Sequence, residues 1–141
     1  MKDRRGERGQ ALVVSVLLIG VGAVAVAGLL ETQSRLLARV RLDRAGEAAA
    51  QAAGAVAADE QLAFVRGRAK PPLPDEEQAF ARSVTVREHA LTSAQELARA
   101  NDAPPPDSME VRDTGRELVV EVALGGRSHR VAVPKVPCCP R

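Results

Sequence analysis

Aromatic side chains are almost missing from this chain of 141 residues, which has no Trp, no Tyr and two Phe, Phe64 and Phe80. A surface that stacks single-stranded bases needs such rings beside clustered cations. Here the 20 Lys and Arg are balanced by 18 Asp and Glu to a net charge of +2, and acids are interspersed with them along most of the chain. Nucleic acid is therefore not expected as a partner. Cysteine is equally scarce: Cys138 and Cys139 are neighbours in a proline-punctuated tail, which is not a metal-ligand spacing. A strained disulfide between the two, a bond to another chain, a lipid or thiol modification, or two incidental thiols all remain open there.

Groups that carry catalysis are also missing. His89 follows Glu88, and His129 lies far from it, with no spacing that links them to a nucleophile or a metal. Gly20, Val21 and Gly22 are not followed by the Lys and Ser/Thr that a phosphate-binding loop requires. Asp75, Glu76 and Glu77 suit the first turn of a helix better than an acid/base pair. The expectation is a protein that is not an enzyme, with no metal, no cofactor and no small-molecule substrate.

What the chain does have is an apolar run. Residues 11–30 carry no charge, and twenty helical residues reach about 30 Å, the thickness of a bilayer's hydrocarbon core. No other part of the chain is large enough to bury a helix that is apolar all round, so the run is expected to span a membrane. Gly20, Ala23 and Ala27 share one side of it, a spacing that lets a second helix approach closely. Flanking charge does not orient the span, because Lys2, Arg4, Arg5 and Arg8 before it are matched by Arg35, Arg39, Arg41 and Arg44 after it. Ala25, Val26 and Ala27 followed by Gly28 also offer a signal-peptidase site, although the apolar run is longer than usual for a secretory signal.

Good helix formers continue without proline to Pro71, and Ala dominates residues 45–58, predicting one helix over 10–66. Its small outer face would pack closely, either on the C-terminal part of the same chain or on other chains. Residues 67–74, with Pro71, Pro72 and Pro74, read as a linker. Asp75 is expected to cap a second helix, with Gln78 completing a capping box. Phe80, Val84, Leu91, Ala94 and Leu97 give that helix an apolar stripe, and Asn101 and Pro104 end it. Runs around Met109, over 118–123 and over 129–133 read as strands, the last two joined by a turn at Gly125 and Gly126. Two or three strands need a cover, which the second helix would supply. The predicted class is α+β: a basic leader (1–9), a transmembrane helix with an Ala-rich extension (10–66), the linker, a small domain (75–134) in which an amphipathic helix packs on an antiparallel hairpin or three-stranded meander, and a Cys/Pro tail (135–141).

Two separated features occur in a telling order. Arg8, Gly9, Gln10 and Ala11 form a charged-to-apolar junction that a membrane protease can read, and the helix beyond the span passes through Arg41, Leu42, Asp43 and Arg44 into alanines. Over about residues 4–60 this resembles the TadE/TadG-like proteins of the Tad (Flp) pilus system, which look like type IV pseudopilins. The resemblance implies a bacterial or archaeal membrane protein with a cytoplasmic N-terminus and an extracytoplasmic C-terminus, with other pilus subunits and an assembly platform as partners. It also implies removal of residues 1–9 between Gly9 and Gln10. Processed pilins usually have Glu at the fifth position after the cut, where this chain has Val14. The alternative function is a secreted or membrane-tethered binding module delivered by the same N-terminal segment.

Overall fold

The fold is α+β, seen in a computed structural model that describes residues 4–136, with side chains from residue 13 onward. Helix α1 (Arg4–Arg66) is followed by α2 (Pro74–Ala81), α3 (Val84–Ala100) and the strands β1 (Ser108–Asp113), β2 (Glu117–Leu124) and β3 (Arg127–Pro134). The chain divides into two compact units, Met1–Arg39 and Val40–Arg141. In the first, α1 is apolar and long enough to cross a membrane, and Leu18, Ile19 and Val24 are each about two-thirds exposed or more. An apolar surface of that kind costs about 25 cal/mol for each Å² left in water, so it calls for a lipid or protein cover.

In the second unit, from here on the head, the strands form an antiparallel meander in the order β1-β2-β3. Val120 pairs with Val111 on one side and Val131 on the other. The β2–β3 turn has two residues, Gly125 (φ 60) and Gly126 (φ 74), the pair of left-handed conformations that matches strand twist. Side chains alternate across the sheet, and Leu118, Val120, Val122 and Leu124 of β2 all face the core with 1 % exposure or less.

Two helical faces complete that core. One is the Ala-rich second half of α1, where Ala45, Ala49, Ala50, Ala53 and Ala57 are buried; the other is Val86, Ala90, Ala94 and Ala98 of α3. Of the two placements open to the Ala-rich helix, the structure has the one within the same chain. Gly46 and Gly54 set the approach of α1 to β3. A Cβ at Gly54 would lie 2.6 Å from Val131 Cγ1, and one at Gly46 would lie 2.8 Å from His129 Cε1. Leu42 covers the turn at Gly125.

The segment after Pro74 differs from the single helix expected. Leu73, not Asp75, is the cap residue, and Pro74 opens the first turn, where its missing N–H costs nothing. Glu76 Oε2, rather than Gln78, accepts from the Leu73 N–H at 2.9 Å. Arg82 and Ser83 then interrupt the helix, and Ser83 Oγ accepts from the Val86 N–H at 3.3 Å to begin α3. The break shifts the helical phase. Val84, expected in the apolar stripe, is 66 % exposed, while Val86 and Ala90 turn inward.

Alanine is about 1 kcal/mol better than glycine inside a helix, so propensity alone favours Gly46→Ala and Gly54→Ala. Packing reverses the sign. Each substitution is expected to destabilise the head by about 1–3 kcal/mol, as overpacking does, read as faster amide exchange at Val120 and Val122 in the full chain in micelles.

Candidate functional site

Three places in the chain were singled out by sequence. Gly9 and Gln10 lie within α1, and their side chains are outside the described residues. Cys138 and Cys139 are outside the described residues altogether. Gly20, Ala23 and Ala27 lie on the exposed apolar half of α1, and a Cβ built at Gly20 meets no atom within 4 Å. That strip is open to a neighbour of another chain.

The histidines have structural partners. His89 Nδ1 lies 2.7 Å from Glu60 Oε1, tying α3 to α1 at a solvent-exposed pair. His129 fills the space left by Gly46, with its Nε2 buried and without a hydrogen-bond partner among the described residues. Among the described residues no group of three or more His, Cys, Asp or Glu is arranged to hold a metal ion.

The strongest polar cluster was not legible in the sequence. Lys135 follows β3 and reaches back with Nζ 2.7 Å from Glu77 of α2 and 2.7 Å from Asp113 of β1. The Asp113 side chain is only 3 % exposed and that of Lys135 10 %. The Lys135 N–H also donates to the Arg116 carbonyl at 3.2 Å. Burial pulls the Lys135 pKa down, but hydrogen bonds and charge from Asp113 and Glu77 outweigh it and hold it above the ordinary 10.5. Gln61 closes the same small cavity with Phe64, Phe80 and Leu118, and its Oε1 is buried and unpartnered among the described residues.

Beside this clasp Phe64 and Phe80 stack with centroids 4.6 Å apart. Arg68 lies 4.2 Å over the Phe64 ring and donates to Glu76 at 2.6 Å. The Arg68 hydrogen bond, with that from the Leu73 N–H, holds the Glu76 carboxyl below its usual 4.5. Both phenylalanines are therefore spent on the corner between α1 and α2. The clasp joins α1, α2, β1 and the end of β3, and its cavity has no room for a water-sized guest.

The chain matches no protein family, no curated protein and no solved structure. The reading of its role rests on its own residues.

Two unequal losses test the clasp. Lys135→Met strands the buried Asp113 carboxylate and is expected to cost about 3 kcal/mol, whereas adding Asp113→Asn should recover part of that loss. Because the folded pKa of Lys135 is raised, its contribution is complete below the ordinary lysine value and lost as pH climbs through the folded one. Hydrogen exchange at Leu118 in wild type and both variants reads the order.

Proposed function

We propose that this protein is a membrane-anchored structural component of a Tad/Flp-type pilus system, an assembly protein or a minor pseudopilin-like subunit. The observation that carries the reading is a helix that is apolar and exposed over its first half, the one long and apolar enough to span a membrane among the described residues, whose own continuation supplies a face of the head's core. The helix holds the protein in the membrane, with residues 1–9 on the cytoplasmic side and the head outside. The head presents surfaces to other subunits and performs no chemistry.

Two features support a role among other helices. Gly20, Ala23 and Ala27 give the span a strip where another span can lie close. The charged-to-apolar junction at Gly9 and Gln10 has the composition that a prepilin-type peptidase reads. Val14 argues for a protein that works beside the filament rather than in its core. A buried Glu at that place can pair with a neighbour's amine, and Val cannot.

The test is the N-terminal sequence and intact mass of the protein taken from the membrane fraction of its native host. A start at Gln10 or at Met1 is expected, the first denoting a processed pseudopilin and the second a permanently anchored assembly protein. A soluble product beginning near Gly28 would overturn the reading in favour of a secreted module. Deleting the gene is expected to abolish or reduce surface pili.

A further inference from the structure

Backbone groups alternate in direction along a strand, so every second residue of an edge strand points its N–H and C=O away from the sheet. The Thr114 N–H donates to the Glu117 carbonyl at 3.0 Å across the β1–β2 turn. In the same register Arg112 lies opposite Val119 and Glu110 opposite Glu121. The even-numbered residues of β1 therefore bond to β2, and Met109, Val111 and Asp113 direct their N–H and C=O to the outer side. The sheet has no further strand there, and the Met109 and Val111 backbones have no hydrogen-bond partner among the described residues. Hollows of about 360 and 280 Å³ run along this edge.

The edge is complementary to itself. When two β1 edges pair antiparallel, outward-pointing residues must face outward-pointing residues. If Val111 faces Val111 of a second copy, Glu110 lies against Arg112 of the second copy and Arg112 against its Glu110. Sliding the register by two residues in either direction sets Glu110 against Glu110 or Arg112 against Arg112, and like charges directly opposite destabilise a strand pair. Of these registers, the one centred on Val111 alone satisfies both the backbone and the charges. Within one chain the two side chains bond to each other, Arg112 Nε donating to Glu110 Oε1 at 2.7 Å, and both are more than half exposed.

The helix beside the edge repeats the pattern. Val84, Arg87, Glu88 and Leu91 lie on one side of α3 and line the hollow at the start of β1, so that wall carries both signs of charge between two apolar ends. A two-fold axis normal to the sheet makes neighbouring helices antiparallel as well as strands. About such an axis between Arg87 and Glu88, Val84 meets Leu91 of the second copy and Arg87 meets its Glu88. That contact would cover Val84, which is 66 % exposed. We infer that two copies of this chain pair through their β1 edges with Val111 at the axis, joining two three-stranded sheets into one. The interface is isologous, the same patch on both copies, as in two-fold dimers generally. The inference holds whether or not the protein belongs to a pilus.

The test uses the full chain in micelles, labelled with ¹⁵N, at high and low ratios of protein to detergent. The Val111 amide should exchange slowly at the high ratio and faster on dilution. Glu110→Arg and Arg112→Glu should each, alone, speed Val111 exchange about tenfold, since each turns two attractive cross-strand pairs into repulsive ones. Mixed in equal parts, the two variants should regain slow exchange, because in the mixed pair every new charge meets an opposite one. The double variant Glu110→Arg with Arg112→Glu should regain it by itself. Val120 exchange, which reads the head's own fold, should stay unchanged throughout. Contact between the apolar halves of two chains would neither protect Val111 nor respond to these charges. Fast Val111 exchange at every ratio would overturn the inference, as would slow exchange that either variant leaves unchanged, or a mixture that exchanges as fast as its parts.

Discussion

The head depends on how closely α1 approaches the sheet, and that distance is set by missing side chains. Gly46 leaves the space that the His129 ring occupies, Gly54 does the same for Val131, and Ala49, Ala53 and Ala57 keep the rest of the face shallow. A three-stranded meander alone is marginal in water. Here Leu118, Val120, Val122 and Leu124 are sealed by two helices whose inward residues are mostly alanine. Small residues bury little area each, so such a core relies on fit and on two covers rather than on large side chains. The two phenylalanines sit instead at the corner between α1 and α2, where they stack under Arg68.

This constraint also bears on function. Since α1 supplies a wall of the head from Val40 onward and an apolar, exposed surface before Arg39, one element serves both the candidate membrane span and the fold of the head. A secreted version cut near Gly28 would still keep the head's wall, so folding alone does not decide between the anchored and the soluble readings; the N-terminus does. The head's polar features divide in the same way. The Lys135 clasp is internal, its Nζ held between Glu77 and Asp113, whereas Arg82 and Arg87 lie at the surface among Glu88, Asp107 and Glu110.

Much of the fold was legible because its signals are local. Residues 11–30 announce a long apolar helix by lacking charge, the alanines of 45–58 announce its continuation, and Gly125 and Gly126 announce the tight turn. The break at Arg82 and Ser83 was hidden because Phe80, Val84 and Leu91 hold a helical spacing across it, although Ser83 is itself a cap residue. With the phase reset, Val84 faces out and the narrow Ala90, Ala94 and Ala98 stripe faces in. Lys135 could not be read from sequence because its partners, Glu77 and Asp113, lie 58 and 22 residues away. The β1 edge was equally hidden, since which strand ends a sheet is settled by topology and not by the strand's own residues.

The measurement that bears most directly on the shared use of α1 is a pair of ¹H–¹⁵N spectra, one of residues 40–141 and one of residues 67–141. If α1 completes the core, the longer fragment gives a dispersed spectrum with a cooperative unfolding transition and the shorter one collapses to the narrow dispersion of an unfolded chain. A dispersed, cooperatively unfolding spectrum from residues 67–141 alone would contradict the account, because the sheet and α3 would then close a core without the helix.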